Sequence, residues 1–523
     1  MRGSFNVAAL LVAWCVCAFA QVQEAAPAPR FTIETFLVEG NTLLSGDEIE
    51  RIVAPFRGPN RDFGDVQQAL ERLQDAYVAH GYSAVRVLIP EQDLVAGKVR
   101  LQVIEARLHD VKVEGNQFFD EANVRASLPA LKRGEPPNTR RIAEDVQLAN
   151  ENPAKQANVV LQATDTPGEA DAVVRVVDFK PTRYTLSLDN TGNPQTGNLR
   201  LGFGFQHANV LNRDQVLTAQ FITSPTNANN VKVYGAGYHV PVYSWAGSVD
   251  VFAGYSDVNS GTIQDLFTVS GKGTILGARY NQILPRVGSY EQKLGFGLDY
   301  RDFHQNVALV GTTTTLVPDI TIRPWSVSYT GRLSQVGNDL AVIASFSQNI
   351  PGGVDGGATA FAAQRVGAPA RYKIWRAAGV WSHALGKDYL FRLAANAQFT
   401  DDPLVIGEQF GMGGQDSVRG FYEREVSTDT GYRLSAELHG PEIGERLGAD
   451  WRGHVLGFID MAHGKDESPP RSNEEGLASV GLGLRLFQGR SIAVRADWAL
   501  VTNPSGGRPN NHNRLHFALA YSF

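Results

Sequence analysis

The run Gln409–Phe421, QFGMGGQDSVRGF, contains the residues most suggestive of a specific chemical role. It is rich in glycine, lies between two stretches of alternating apolar and polar residues, and ends with Val418, Arg419, Gly420 and Phe421. Glycine allows tight backbone turns that other residues disfavour, so the run predicts a guanidinium charge carried on tightly folded backbone. The alternative is an ordinary surface loop in which these four residues occur by chance.

The common signatures of catalytic and metal sites are absent from the sequence. No GxxxxGK[ST], HExxH or GxSxG motif occurs, and the eleven histidines show no spacing typical of metal ligands. A net charge of −6, with 20% charged residues, gives no strongly basic surface for nucleic acid. We therefore predict no catalytic residues, no cofactor, no metal site and no nucleic-acid partner.

The first residues, 1–20, are predicted to be a secretory signal peptide. Arg2 supplies the positive start, and the apolar run Val7–Ala20 ends in a small-residue cleavage pattern, AFA. The run is shorter than a membrane-spanning helix, although a retained anchor is the alternative. Because Cys15 and Cys17 both lie in this segment, the mature chain is predicted to have no cysteine, which excludes disulfides and thiolate chemistry.

Residues 21–30, rich in alanine and proline, are predicted to form an extended linker before the first domain. No later segment has the roughly 18 uninterrupted apolar residues that indicate a membrane-spanning helix. An exported protein without such a helix is either soluble or a membrane β-barrel.

A duplicated pattern predicts two small α+β domains, residues 31–106 and 107–180. The sequence VEGN at Val38–Asn41 recurs at Val113–Asn116, and such a long period indicates duplicated domains rather than a solenoid. Each copy is predicted to run strand–helix–helix–strand–strand.

The helices of these domains have recognisable caps and faces. In the first copy, Ser45 begins a capping box, and a second helix spans about 64–80, with Gly81 suited to end it. Its apolar face is formed by Val66, Ala69, Leu70, Leu73 and Tyr77. In the second copy, Asp120 is the predicted cap of one helix, and another helix spans about 139–150.

From residue 181 to residue 523 the pattern changes to strands in which apolar and polar residues alternate. Tyr432–His439 and Leu515–Phe523 are clear examples. The strands run about 10 residues, which is enough to cross a bilayer at a tilt, and they number about 16. Short turns alternate with long loops, as in bacterial barrels. The predicted fold of 181–523 is therefore an antiparallel membrane β-barrel, and a soluble sandwich is the alternative.

Several motifs resemble the POTRA-plus-barrel superfamily of bacterial outer-membrane proteins. Val418–Phe421 resembles its signature loop, and Phe458–Gly464, FIDMAHG, resembles its second barrel motif. The two repeated domains resemble POTRA domains, and segment 81–92 is similar to the first POTRA domain of two-partner secretion transporters. Tyr521 and Phe523 resemble the terminal assembly signal of outer-membrane barrels. The resemblance covers nearly all of the mature chain.

The resemblance implies that a signature loop, residues 401–430, folds into the barrel and that Arg419 meets Asp460 on the wall. Alternation places Asp460 on one strand face with Leu456 and Phe458, and an unpaired charge in such a wall is costly. Arginine can hold a carboxylate through two parallel hydrogen bonds. The predicted site therefore consists of Val418, Arg419, Gly420 and Phe421 in the loop and Phe458, Asp460 and Gly464 in the wall.

By this resemblance the chain is identified as a two-partner secretion transporter of the bacterial outer membrane, with its POTRA domains in the periplasm. The implied partners are an unfolded exoprotein, outer-membrane lipid, and the barrel assembly machinery that inserts the chain. An outer-membrane insertase is the main alternative, although insertases of the superfamily usually carry more than two POTRA domains. A passive diffusion porin is the alternative from another class, but a simple pore needs no upstream domains.

Two properties stay open at this point. The exoprotein could be an adhesin, a haemolysin, a toxin or a haem-binding protein, and the oligomeric state is not indicated. Some transporters of this kind carry an amino-terminal helix that plugs the pore. Only residues 21–30 separate the predicted signal peptide from the first domain, which argues against such a helix and leaves the signature loop and other loops as the candidate occluding elements. Whether any element plugs the pore at rest is also open at this point.

Overall fold

The computed structural model describes most of the chain. The described residues are 29–93, 96–194, 196–229, 231–258, 262–263, 267–268, 271–304, 319–468, 473–504 and 511–523. The predicted signal peptide, and all but the end of the predicted linker, lie outside them. Within these ranges, no helix has both the length and the apolar character needed to cross a membrane.

The first amino-terminal domain combines a three-stranded sheet with two helices. Its elements are β1 (Phe31–Ile33), β2 (Thr35–Glu39), α1 (Gly46–Val53), β3 (Gly58–Arg61), α2 (Phe63–Ala79), β4 (Val85–Leu88) and β5 (Lys98–Glu105). The order in the main sheet is β2-β5-β4, with β2 parallel to β5 and β4 antiparallel to it. The first strand was predicted to run from Phe31 to Val38, but it is divided into β1 and β2, and β1 pairs separately with the short strand β3, which was not part of the predicted order.

The helices of this domain form where the sequence pattern indicates them. The Ser45 side chain accepts the backbone N–H of Glu48 at 3.3 Å, which caps α1. On α2 the buried residues are Val66, Ala69, Leu73 and Tyr77, which lie on the predicted apolar face. After α2, Gly81 has a φ of +90°, a conformation that glycine adopts most readily.

The second domain repeats this arrangement. Its elements are β6 (Arg107–Glu114), α3 (Glu121–Ala126), α4 (Thr139–Ala149), β7 (Lys155–Ala163) and β8 (Glu169–Asp178). The central strand is β8, which is parallel to β6 and antiparallel to β7. The side chains of Asp120 and Asn138 accept backbone N–H groups at the starts of α3 and α4, as N-capping residues do.

A closed antiparallel β-barrel forms the remainder of the described chain. Its elements and those of its loops are β9 (Thr182–Asp189), β10 (Arg200–Val210), β11 (Gln215–Thr223), β12 (Lys232–Val242), β13 (Gly247–Val258), β14 (Thr262–Ile263), β15 (Phe267–Thr268), β16 (Gly271–Val287), β17 (Tyr290–His304), β18 (Ile320–Ile322), β19 (Pro324–Gln335), β20 (Asn338–Asn349), α5 (Ala358–Gln364), β21 (Lys373–Gly386), β22 (Tyr389–Phe399), β23 (Phe410–Met412), β24 (Val426–Thr428), β25 (Thr430–His439), β26 (Trp451–Lys465), β27 (Glu474–Gln488), β28 (Ile492–Pro504) and β29 (Asn513–Ser522).

The barrel has sixteen strands, because β18 and β19 are two parts of one strand that is interrupted at Arg323. Pairing of β29 with β9 closes the barrel, and the small pairs β14–β15 and β23–β24 lie outside the barrel sheet. The predicted fold class is thus confirmed, including the strand number.

The two faces of the barrel wall differ in polarity. On β26, the exposed side chains of Ile459 and Met461 alternate with the buried side chains of Phe458 and Asp460. The exposed outer face carries large apolar residues around the whole barrel, among them Tyr184, Phe203, Tyr234, Leu276, Phe296, Ile343, Trp375, Leu438, Leu482 and Trp498. Such a surface suits contact with lipid, whereas the inner face is polar.

The second amino-terminal domain is packed on the turn between β10 and β11. The Lys155 ammonium is fully buried and lies 2.6 Å from Oδ2 of Asp214, and the Tyr243 hydroxyl donates to the same oxygen at 2.6 Å. Ala208 and Val216, from the two barrel strands, belong to the hydrophobic core of the second domain. This domain and the barrel therefore share one core and one buried ion pair.

Candidate functional site

The signature loop connects β22 to β25 and folds back on itself. Its two limbs pair through β23 and β24, and the turn between them contains Gly413 and Gly414 at φ of +97° and +117°. A Cβ atom at Gly414 would lie 2.1 Å from Oε2 of Glu423, and the same carboxylate accepts the Gln415 N–H at 2.6 Å. Glycine at this position therefore allows the carboxylate to approach the backbone.

Arg419 lies at the buried tip of this loop and contacts Asp460 on β26. Its Nε is 2.7 Å from Oδ2 of Asp460, and its Nη2 is 2.7 Å from Oδ1. The Arg419 backbone N–H also donates to Oδ2, at 3.1 Å. Asp460 is 0% exposed and Arg419 is 2% exposed, so the two charges neutralise each other out of contact with water.

Other wall residues complete the surroundings of the guanidinium. Nη1 of Arg419 donates to Oε1 of Glu437 at 2.8 Å, and Nη2 donates to Oγ of Ser435 at 3.1 Å. The Ser435 hydroxyl donates in turn to Oδ1 of Asp460 at 2.7 Å. The guanidinium carbon lies 3.4 Å from the ring centre of Phe458, so the ring covers one face of the cation.

The charges in this region are balanced, since four arginines and four carboxylates form a continuous network. Asp497 on β28 accepts from Arg485 at 2.8 Å and from Arg495 at 2.6 Å, and Arg495 also pairs with Asp416 of the loop. This interior charge cluster consists of Arg392, Arg419, Arg485, Arg495, Asp416, Glu437, Asp460 and Asp497. Losing one member would leave an opposite charge uncompensated.

The residues on either side of Arg419 fix the loop by packing. Val418 and Phe421 are fully buried, and they share a hydrophobic cluster with Met412, Ala462, Leu477 and Val501. Gly420 has a φ of +101°, and its N–H donates to Nε2 of His516 at 2.9 Å. The apolar side chains and the backbone therefore hold the loop against the wall independently of the charges.

Gly464 marks a close approach between the loop and the wall. A Cβ atom there would lie 2.1 Å from Oγ1 of Thr428 and 2.9 Å from Cε of Met412. All seven residues proposed from the sequence thus lie at one place in the barrel. The two carboxy-terminal residues proposed as an assembly signal lie elsewhere: Tyr521 and Phe523 are exposed, and their rings stack with centres 5.5 Å apart.

Four further residues of the site were not proposed from the sequence: Ser435, Glu437, Asp497 and His516. Alternation places Glu437, Asp497 and His516 on the polar faces of their strands, and that was the available signal. The pattern within one strand gives no register against its neighbours, so it could not show that these side chains meet Arg419 and Gly420. In the part of the chain that the structure describes, no group of three or more His, Cys, Asp or Glu residues could hold a metal ion.

A sixteen-stranded barrel that follows two small α+β domains and holds an inward-folded, charge-paired loop defines a class of outer-membrane transport protein. Residues 168–486 match the family model described as haemolysin secretion/activation protein ShlB/FhaC/HecB, and residues 31–106 match the ShlB-type POTRA domain. The first match spans more than half of the chain. The chain therefore belongs to the ShlB/FhaC/HecB family.

Individual relatives are distant in sequence. The outer membrane transporter CdiB of Escherichia coli O6:K15:H31 (strain 536 / UPEC) is 24% identical over 419 residues, which cover 78% of this chain and 69% of the relative. The heme/hemopexin transporter protein HuxB of Haemophilus influenzae is 21% identical over 485 residues, which cover 91% of this chain and 83% of the relative.

Solved structures show the same fold. CdiB from Escherichia coli superposes with a TM-score of 0.78 at 20% identity, covering 97% of this chain and 93% of that structure. CdiB from Acinetobacter baumannii gives a TM-score of 0.69 at 17% identity, covering 95% and 90% of the two chains.

Family membership confirms part of what the sequence predicted. The chain is an outer-membrane β-barrel of the two-partner secretion family, with its POTRA domains in the periplasm. The family consists of secretion transporters, in which the POTRA domains serve the transport of exoprotein partners.

Proposed function

We propose that this chain binds an unfolded partner exoprotein through its POTRA domains and secretes it through the barrel, and that the Arg419–Asp460 pair holds the signature loop inside the pore. The observation that carries the proposal is the position of Arg419. A loop between two strands places its tip against the inner wall, where the charge is 2% exposed. Because a barrel of this size encloses more space than its own side chains fill, a loop held there controls what can pass.

Client binding has a structural basis in the sheet edges of both small domains. The outer strands are β2 and β4 in the first sheet and β6 and β7 in the second. Such edge strands can add a strand from an extended polypeptide, because main-chain hydrogen bonds form with almost any sequence. This mode of binding suits a client that arrives unfolded.

The charge pair explains why the loop stays in place at rest. Burying two charges is costly, and Arg419 meets that cost through hydrogen bonds to Asp460, Glu437 and Ser435. Removing one partner of a buried pair typically destabilises a structure by roughly 3–5 kcal/mol. Because about 5.5 kcal/mol separates a 99:1 from a 1:99 population, a loss of this size should substantially raise the released fraction of the loop.

Secretion assays test the proposal directly. The chain would be co-expressed with a large exoprotein encoded by a neighbouring reading frame, and the exoprotein would be measured in the medium. We expect Arg419→Ala and Asp460→Arg each to reduce secretion at least tenfold, while the matched change at a distant arginine, Arg332→Ala, leaves it unchanged. Heat-modifiable mobility in gels would verify equal amounts of folded barrel.

Three outcomes would count against this function. Normal secretion by both variants at normal barrel levels would remove the role of the pair. Assembly defects in other barrels after deletion of the gene, with no effect on an exoprotein, would favour an insertase. Porin-like conductance of the intact protein in planar bilayers would favour a diffusion pore, whereas we expect low conductance that rises when residues 409–421 are deleted.

A further inference from the structure

The connection between β20 and β21 carries α5 and is folded against the signature loop. Phe361 of α5 is fully buried, and its ring centre lies 6.0 Å from that of Tyr372. It belongs to a hydrophobic cluster with Leu404 and Val405 of the signature loop. The other members come from the connection itself and from wall strands, and include Val233, Phe252, Ile275, Phe303, Ile320, Ile322, Ala368 and Ala370.

This apolar cluster is unusual for the interior of a water-filled barrel. Its members from the wall lie on β12, β13, β16, β17, β18 and β21, whereas the wall residues that contact the Arg419 side chain lie on β25, β26 and β28. Burying such side chains together stabilises the contact by about 1.5–3 kcal/mol for each large residue removed from water. The α5 connection is therefore held across the barrel interior by a contact area that involves both the wall and the signature loop.

Arg365, which directly follows α5, adds a polar connection to the same loop. Its Nη1 and Nη2 lie 2.5 Å and 2.8 Å from the two carboxylate oxygens of Asp429, and Nη1 also donates to the Leu404 carbonyl at 2.6 Å. Its Nη2 donates to Oγ of Ser468 at 2.7 Å. The guanidinium thus contacts both limbs of the signature loop and the connection after β26.

Asp429 accepts the paired hydrogen bonds from Arg365. It is 0% exposed, and its carboxylate also accepts the backbone N–H groups of Leu404 at 3.0 Å and of Glu467 at 2.8 Å. One carboxylate thereby joins the β20–β21 connection, the signature loop and the β26–β27 connection. All three lie on the side of the barrel opposite the second POTRA domain. The residues that contact Arg365 are distinct from those that contact Arg419, so the loop is held at its base as well as at its tip.

We propose that the α5 connection is an exit gate over the outer mouth of the pore, and that Arg365 is the positioning residue that latches it to Asp429. An extended polypeptide leaving the barrel has to pass the place where Phe361, Leu404 and Val405 pack together. The latch must therefore open for a client to emerge, separately from the release of Arg419. The inference rests on the proposed secretion function, because a gate at the mouth is needed only where a polypeptide leaves.

Conductance in planar lipid bilayers tests the latch without a client, with potassium chloride as the permeating probe. We expect Arg365→Met to raise the mean conductance of the full-length protein at least threefold, since the buried Asp429 carboxylate loses its cation. Arg365→Lys, which keeps the charge, should return most of the way to the wild-type value. Arg332→Met serves as the matched control and should change nothing.

A reversible cross-link between the α5 connection and the signature loop would hold the gate closed, which is the opposite of removing the latch. The sequence contains only Cys15 and Cys17, both in the segment predicted to be removed, so introduced cysteines would be the only thiols in the mature chain. Joining Arg365→Cys to Asp429→Cys with a short thiol-reversible bifunctional reagent should abolish openings, and a reductant should restore them. The same reagent across a wall pair, Thr330→Cys with Ile343→Cys, should have no effect, because these residues are neighbours within the sheet.

Either of two results would overturn the latch. One is wild-type conductance in Arg365→Met with heat-modifiable, folded barrel. The other is unchanged openings in the cross-linked pair. Because ion conductance needs no client, either result would leave the secretion proposal standing. Conversely, normal secretion by the Arg419 and Asp460 variants would overturn the secretion role of that pair. It would not change the conductance expected for the Arg365 variants.

Discussion

Arg419 and Asp460 are joined by two side-chain hydrogen bonds of equal length, 2.7 Å each, and by a third from the Arg419 backbone at 3.1 Å. The backbone contact matters because it ties the main chain of the loop, and not only a flexible side chain, to the wall. The guanidinium is planar and presents its donors in a fixed fork that matches a carboxylate. The position of the loop tip is therefore specified by geometry as well as by charge.

Arg419→Lys separates these two contributions. Lysine keeps the positive charge but offers a single ammonium in place of the fork, so we expect the docked loop to lose about 2 kcal/mol of stability. The readout is thiol labelling of Val418→Cys, whose native side chain is fully buried. Labelling should speed up at least tenfold in the lysine background and should be unaffected by Arg332→Lys. Equal protection in both backgrounds would show that the fork geometry of the guanidinium is not needed to hold the loop.

Gly420→Ala tests the backbone conformation at the tip. Gly420 has a φ of +101°, and an added Cβ would lie 3.0 Å from Cγ2 of Val501. Strain of this kind costs roughly 1–3 kcal/mol, so we expect faster labelling at position 418 and reduced secretion. Gly457→Ala is the control, because a Cβ there meets no atom within 4 Å. A Gly420→Ala variant that behaves like the Gly457→Ala variant would contradict this account.

His516 is expected to act as a hydrogen-bond acceptor for the loop. Its Nε2 receives the Gly420 N–H at 2.9 Å, and only an unprotonated nitrogen can accept. His516→Leu should leave that buried N–H without a partner and cost about 1–3 kcal/mol of loop docking. His516→Gln, which retains an acceptor, should lose less.

Labelling of Val418→Cys again measures this effect. The control is His463→Leu, because the His463 ring packs against Tyr432, with ring centres 5.9 Å apart, rather than against the loop. If the Leu and Gln variants at 516 labelled at the same rate, the acceptor would not be what holds Gly420.

Helical periodicity and strand alternation predicted those features of the fold that are decided by residue spacing within a single helix or strand. The face of α2 formed by Val66, Ala69, Leu73 and Tyr77 follows from helical periodicity alone, because residues three and four apart share one side of a helix. Alternation likewise placed Asp460 on one strand face with Leu456 and Phe458, and the family resemblance supplied the expectation that this face meets the loop. Each face is decided within one element, so no knowledge of its neighbours was needed.

Features that depend on contacts between elements could not be predicted in the same way. Asp497 and His516 meet the loop only because β28 and β29 pair with Asp497 opposite His516, and alternation does not fix that register. The helix α5 and the latch from Arg365 to Asp429 lie in connections with no repeating pattern. The sequence does carry a signal for the interruption at Arg323 between β18 and β19, because Pro324 follows it and the alternation changes phase from Ile320 and Ile322 to Trp325 and Val327.

The second POTRA domain should become less stable as pH rises, because of Asp145. This carboxyl on α4 accepts the Ala130 N–H at 2.8 Å, and burial raises its pKa to about 7. Because the folded-state pKa is above the unfolded value, the folded state binds more protons between about pH 4 and pH 7. Its stability therefore falls across that window, by an amount on the order of 2–4 kcal/mol, and levels off above it.

Asp145→Asn should remove this dependence, since the amide stays neutral and can still accept from Ala130. Protease susceptibility of residues 107–178 in the full-length protein, measured from pH 5 to pH 8, provides the readout after correction for the protease's own pH profile. Asp165→Asn, at an exposed position of the same domain, is the control. A wild-type protein whose susceptibility does not rise with pH, or an Asn variant that keeps the rise, would refute the assignment to Asp145.

The buried pair of Lys155 and Asp214 should determine how firmly the second POTRA domain is held on the barrel. Both side chains are almost fully buried, at 0% and 2% exposure, and burial lowers the pKa of Lys155 against the opposing effect of Asp214. Lys155→Ala leaves the carboxylate buried without its cation, which should cost roughly 3–5 kcal/mol. Hydrogen exchange in β7 and in the turn between β10 and β11 should accelerate together.

A double variant distinguishes the charge imbalance from lost packing. Lys155→Met with Asp214→Asn removes both charges, and asparagine is chosen because position 214 has a φ of +57°, which asparagine tolerates better than most residues. Exchange should return most of the way to the wild-type rate, because the Tyr243 hydroxyl keeps an acceptor. Lys112→Ala, which breaks the exposed pair with Asp171, is the control and should have little effect. If the double variant exchanged as fast as Lys155→Ala, packing of the lysine stem rather than its charge would be what holds the second POTRA domain on the barrel.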